Sequence, residues 1–281
     1  MKKRKSFWWL WLSLGAVISI AVVNNSVLDP IKKPLIDLLN SNFSTAFFGA
    51  AGGALAIVTL DWFRRQKLVP ADINASIGVL ASLSNTLLNM KKQHTIPMLQ
   101  SYQNNVNEFQ IAETVRKYSG TKEKPIIELP MYMKRFHCPE LHFDLPMDRI
   151  FTLTDRVPQI VPIISQTKRS VGEVQNMCAV WNEMVERMKT MSQEEKIPAY
   201  FGFRASPDMQ DTYFPDTVYN VSKCVDDSLF FIGKSTKALT KLGEKTLPFW
   251  LRKKIAKSEV TNKEYKALLP PENHLDGWED D

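Results

Sequence analysis

Residues 7–23 read FWWLWLSLGAVISIAVV and residues 44–62 read STAFFGAAGGALAIVTLDW; the first run carries no charge, and the second meets its only one at Asp61. As helices rising 1.5 Å per residue, both approach the ~30 Å hydrocarbon core of a bilayer. An open strand in lipid would leave backbone amides unpaired, so a hairpin of two helices is the physically permitted spanning form. Trp8, Trp9 and Trp11 crowd one end of the first run, where indole rings favour the headgroup layer. No comparable run follows residue 62, so the rest of the chain reads as one large aqueous domain.

Orientation follows from the basic flanks, because Lys and Arg close to span ends stay on the cytoplasmic side. Lys2, Lys3, Arg4 and Lys5 precede the first run, and Arg64, Arg65 and Lys67 follow the second. The connection between them holds only Lys32 and Lys33, against Asp29 and Asp37. The expectation is a two-span membrane protein with both termini in the cytoplasm; the resemblance given below implies that the membrane is a bacterial inner membrane. A cleaved signal peptide fits less well: the first run is long, lacks a small-x-small site before Asn24, and leads into a second run.

The formal charge of +6 divides unevenly. Residues 1–67 hold nine Lys/Arg against three Asp/Glu, whereas residues 68–281 hold 27 of each. The basic balance is therefore a topology signal and no evidence for a globally basic nucleic-acid-binding domain. Residues 1–67 form the hairpin in this reading, 68–257 a cytosolic helical domain, and 258–281 a flexible acidic tail ending WEDD.

Within the aqueous domain three apolar stripes recur at helical spacing. The first comprises Ile73, Ile77, Leu80, Leu83, Leu87 and Met90 and continues as Met98, Tyr102, Val106 and Phe109. It predicts one long helix beginning after Pro70 and bent or interrupted at Pro97. The second is Val171, Val174, Cys178, Trp181, Val185 and Met188, with Pro158 and Pro162 near its start and Asp155 as the expected cap. The third is Val218, Val221, Val225, Leu229, Ile232 and Leu239, with Lys234, Lys237, Lys241 and Lys245 on the opposite arc. The second stripe persists for under three heptads, so an intramolecular bundle rather than an extended coiled coil is expected. The fold class is all-α, with irregular Pro-rich connections. One connection spans Thr121 to Pro146, where PIIELP suits an extended crossover with one small strand; the other, Pro198 to Pro215, concentrates Tyr200, Phe201, Phe203, Tyr213 and Phe214. Loop aromatics either form a recognition surface or close the end of a bundle. FWLRKKIAK, residues 249–257, reads as a short basic amphipathic piece.

No Walker loop, dinucleotide glycine fingerprint, nucleophile elbow or HExxH helix occurs in the sequence. The densest reactive cluster is His137, Cys138, His142, Asp144 and Asp148. Thiolate and imidazole suit zinc or a nucleophile–base pair, but the spacing is irregular, Pro139 interrupts it, and no second Cys/His group completes four ligands. No catalytic residue, cofactor, metal or small-molecule substrate is therefore expected. Cys138, Cys178 and Cys224 are too few and too scattered for a disulfide framework, and Cys178 falls inside an apolar stripe. His94 also lies on a stripe, as a hydrogen-bonded core histidine. The expected interaction residues are instead Ala46, Gly49, Ala50, Gly53 and Ala54, small side chains that let helix backbones approach closely. They serve self-association through the second run or packing against the first, where Gly15 and Ser19 offer a weaker face. The lysine arc reads either as a solvated face or as a contact for anionic lipid or nucleic-acid phosphate.

The order of a basic N-terminus, two closely spaced runs with FFGAAGGALAIVTLDWFRRQK at residues 47–67, and a long helical domain resembles the two-transmembrane proteins of bacterial defence islands. It is similar in particular to the two-transmembrane effectors of retron systems. That resemblance implies antiviral defence by abortive infection: an effector silenced by a reverse transcriptase and its RNA–DNA product, which perturbs the inner membrane once released. A tether or sensor whose bundle recruits a protein partner without toxicity is the alternative.

Overall fold

The computed structural model describes residues 42–119, 129–146, 150, 157–206, 209–210, 212–256, 260 and 262–275, with backbone alone at 42–51, 62–67, 204–206 and 209–210. The first expected span and the connection after it lie outside the described residues. The chain divides into two units, Met1–Arg65 and Gln66–Asp281.

The first described element, α1 (Asn42–Met90), already contains the second expected span. Its start differs from the expectation of a helix beginning after Pro70, because the helix runs through that proline. Among the described residues no helix is long and apolar enough to cross a membrane; the described side chains of the first unit are those of residues 52–61 alone.

In the second unit α1 ends in a π-helical turn, Lys91–Thr95, followed by α2 (Ile96–Ser119). The turn explains how Pro97 is accommodated. A proline ring crowds the carbonyl four residues earlier and supplies no N–H, and the wider π turn, closed by the Ile96 N–H donating to Lys91 O, directly precedes Pro97. The interruption expected at Pro97 is thus a local rewinding rather than a break.

The middle helix, α3 (Ile160–Thr190), starts with Pro162 in its first turn, where a missing N–H costs nothing. Its N-cap is Gln159, whose side chain makes no capping hydrogen bond; Asp155, the expected cap, lies outside the described residues. A short helix, α4 (Gln193–Phe201), follows a Ser192/Glu195 capping box and ends at Gly202, whose φ of 71° permits the left-handed turn. A minimal antiparallel pair, β1 (Arg204–Ser206) and β2 (Met209–Gln210), leads into α5 (Tyr213–Thr246). The segment expected to be irregular from Pro198 to Pro215 therefore contains two helix ends: Pro198 lies inside α4 and Pro215 in the first turn of α5. Two short elements close the described chain, α6 (Phe249–Arg252) and α7 (Lys263–Ala267).

The architecture is all-α, with α3 lying along α5 and the α1–α2 arm completing the bundle. All three stripes point inward: Ile73, Leu80 and Leu87, then Val174, Cys178, Trp181 and Val185, then Val218, Val225 and Leu239 are buried in one core. Small polar residues set the α3/α5 contact. Thr167 Oγ1 donates to Ile163 O at 2.8 Å or meets Ser235 Oγ at 2.8 Å, and both residues are buried. Such paired hydroxyls fill a close helix contact without an unsatisfied polar atom.

Residues 129–146 form no strand; they cross the helices in irregular form. The one small strand expected in this connection is absent from the described part, and most of PIIELP lies outside it. Side chains of the helices satisfy its backbone instead. Asn182 bonds both backbone groups of Phe136, accepting at 2.8 Å and donating at 2.9 Å; Trp181 Nε1 donates to Lys134 O at 2.8 Å; Ser101 Oγ donates to Pro130 O at 2.9 Å.

Candidate functional site

In the first unit, Ala46, Gly49 and Ala50 lie on α1 where the backbone alone is described. Gly53 and Ala54 are exposed, and a Cβ built on Gly52 or Gly53 would meet nothing within 4 Å. Around them Leu55, Ile57, Val58 and Leu60 are each more than half exposed. Over residues 52–61 this is a largely exposed apolar helix surface, with Thr59 half-buried and small residues at Gly52, Gly53 and Ala54. Isolated exposed apolar side chains are ordinary, whereas an unbroken run on one helix marks an interface with lipid or protein. The first expected span, the alternative packing partner of the small residues, lies outside the described residues.

In the second unit the lysine arc is found on the outer side of α5, where Lys237, Lys241 and Lys245 are exposed and Lys234 is half-buried. Its upper part is engaged by the chain's own C-terminal segment. Lys237 Nζ bonds Glu272 at 3.0 Å, and this bond, ahead of the charge of the same lysine and of Lys234, holds the Glu272 carboxyl below its usual range. Lys234 Nζ lies 5.4 Å from the centre of the Phe230 ring. Lys237 is thus already paired with an acid.

That C-terminal segment departs from the expected flexible tail. Residues 262–275 are tied down along their length: Asn262 caps α7, Tyr265 Oη donates to Asn89 Oδ1 at 2.6 Å, Lys92 pairs with Glu264 at 2.7 Å, and His274 Nε2 meets Asp227 Oδ1 at 2.8 Å. Lys91, in the π turn, pairs with Asp226 and also donates to Leu268 O at 2.7 Å, which ties α1, α5 and this strap at one point. The exchange of water for protein partners at a mostly buried ion pair leaves little net gain but strongly penalises loss of one member. Residues 276–281 lie outside the described residues.

The reactive cluster does not assemble. His137, His142 and Asp144 are exposed, His142 Nε2 lies 3.1 Å from Glu140 Oε2, and Asp148 is outside the described residues. Among the described residues no group of three His, Cys, Asp or Glu side chains is placed to hold a metal ion. Cys138 lies beside Cys178, whose thiol is pushed far up by burial and further by Cys138. Burial likewise raises the Cys224 thiol. Protonated thiols are poor nucleophiles.

The loop aromatics divide between the two expectations: Tyr200 and Phe214 are buried and Phe201 is half-buried, closing the end of the bundle, whereas Phe203 and Tyr213 are 41% and 40% exposed. Tyr200, Phe214 and Tyr102 pack together with ring centres 4.6–6.1 Å apart, and Asn105 Nδ2 donates to the buried Tyr200 Oη at 2.8 Å. Burial pushes the Tyr102 hydroxyl up to about 12. Phe109, Phe201 and Phe203 continue the cluster outward. His94 is a core-edge histidine as expected, with Nδ1 3.2 Å from Tyr132 Oη and its ring against Phe136.

The Asn182 clamp and the Lys91–Asp226 pair went unread in the sequence, since their partners lie 46 and 135 residues away. The capping box was legible in principle: SQEE, residues 192–195, has the S-x-x-E spacing. A comparison of the chain with protein-family models, curated proteins and solved structures finds no match.

Proposed function

We propose that this protein is a membrane-anchored effector of bacterial antiviral defence that perturbs or permeabilises the inner membrane when activated, and that a retron reverse transcriptase with its RNA–DNA product keeps it silent. The observation that carries the membrane half of this reading is the exposed apolar surface of α1, Leu55 to Leu60, with its small-residue notch at Gly53 and Ala54. Helices of this kind associate in lipid through backbone approach at the small residues. Several hairpins meeting through Gly49 and Gly53 would give a cluster able to conduct ions or disorder lipid. The antiviral half rests on the resemblance in layout alone. The bundle is then the regulated part, with both termini in the cytoplasm.

The test is induced expression of the full chain without partners, followed with a potential-sensitive dye. Depolarisation and growth arrest are expected, and Gly53→Ile, which fills the notch, is expected to abolish both while leaving the protein in the membrane. Normal potential and growth on expression would overturn the effector reading.

A second reading, a non-toxic tether or sensor, is favoured by one separate feature. Ile111, Val115 and Tyr118 are exposed at one-turn spacing near the end of α2, a stripe suited to a partner helix. Capture of a constant protein partner through this stripe, lost in Val115→Glu and accompanied by no toxicity, would select the tether.

A further inference from the structure

The segment from Phe249 to Ala256 turns its residues in an unexpected sense. Leu251 and Ile255 are buried against the bundle, whereas Phe249 and Trp250 are 72% and 54% exposed, and Arg252, Lys253 and Lys254 are exposed beside them. This exposure is not fraying, because the backbone is bolted down. Asn74 donates from Nδ2 to Lys254 O at 2.8 Å and accepts from the Ala256 N–H at 2.8 Å, while Arg252 Nε donates to Leu247 O at 2.9 Å. The two exposed rings meet edge to face with centres 5.0 Å apart. Gly243 makes room for the anchor beneath: a Cβ there would lie 2.9 Å from Ile255 Cδ1 and Cγ1.

We propose that Phe249, Trp250, Arg252, Lys253 and Lys254 form a rigid interfacial anchor that docks the second unit onto an anionic bilayer surface. Indole and phenyl rings partition to the headgroup boundary, and long cationic side chains reach from there to lipid phosphates. Juxtamembrane basic residues add attraction to anionic lipid. Position within the unit favours lipid over a nucleic acid as the occupant. Asn74, which holds the segment, lies eight residues, about 12 Å of helix rise, from Gln66, where the second unit begins and the chain joins the apolar stretch of α1. The inference rests on the membrane reading above.

The test reconstitutes the full chain in nanodiscs containing brominated phosphatidylcholine, with and without phosphatidylglycerol, and compares tryptophan fluorescence of the native protein with that of Trp250→Phe. The difference isolates Trp250. It is expected to be quenched by shallow bromine labels, more so with phosphatidylglycerol, and the double change Lys253→Glu, Lys254→Glu is expected to remove the phosphatidylglycerol-dependent part. A difference signal that bromine leaves unquenched overturns the inference, as does one that responds to an added single-stranded RNA oligonucleotide and ignores lipid. Quenching of the remaining tryptophans in Trp250→Phe reports insertion of the runs at residues 7–23 and 44–62 independently. If those are quenched and Trp250 is not, the anchor alone fails; if neither is, the membrane reading fails with it.

Discussion

Asn182 shows how one side chain fixes an irregular segment. It lies beside the core residue Trp181 on α3, and its amide replaces the strand partner that Phe136 lacks. Asn182→Ala leaves a half-buried N–H and C=O unpaired, and the expected loss is about 2 kcal/mol. In thermal unfolding of the full chain in detergent this lowers the midpoint by about 5 °C. Asn182→Asp, which still accepts from Phe136, falls between the two; an unchanged midpoint in Asn182→Ala would contradict the clamp. His94 gives a second outcome at this scale. Burial, and then the charge of Lys134, holds its imidazole below the usual range, so the folded state binds a proton less readily than the unfolded chain. Its contribution to stability is complete above an ordinary pKa of about 6.5 and falls as the pH drops from there toward the lower folded value. The unfolding midpoint should decline from pH 7 to pH 5, and His94→Gln should flatten that decline; an equally steep decline in His94→Gln would contradict this.

Among the elements, the joint between α5 and α6 is the most sharply defined. Helix propensity alone favours Ala over Gly by about 1 kcal/mol, yet Gly243→Ala would press on Ile255, which is buried between Gly243 and Ile73. The expected outcome is loosening of the Leu251–Ile255 attachment, read as faster tryptic cleavage at Lys253 and Lys254 in the folded protein; unchanged cleavage would show that Ile255 relaxes without cost. The same joint marks what the sequence could and could not convey. The periodicities of Ile73–Met90, Val171–Met188 and Val218–Leu239 named the buried faces residue by residue, because a helix buries one side at a fixed 3–4 spacing. The basic amphipathic character of residues 249–257 was also legible. Its outward aromatics were not, since apolarity normally predicts burial. Helix ends were read poorly: Pro70 and Pro198 sit inside helices, and tertiary packing overrode their local preference. The strap at residues 262–275 was invisible because its charge pattern matches that of a tail, and only its distant partners, Asn89, Lys91, Asp227 and Lys237, distinguish the two.

For the molecule as a whole, residues 55–60 of the first unit expose their large aliphatic side chains, whereas the three long stripes of the second unit are buried in one core. Four large aliphatic residues exposed within residues 55–60 would be costly in an aqueous setting, and lipid is the setting proposed for them. The account therefore stands on residues 7–23 and 44–62 residing in lipid. Alkaline carbonate extraction of membranes from cells expressing the full chain tests this most directly, because it strips peripheral proteins and leaves spanning helices in place. The account predicts that the chain stays in the membrane pellet, in native form and in the Lys253→Glu, Lys254→Glu variant alike. Release of the native chain into the soluble fraction would contradict it.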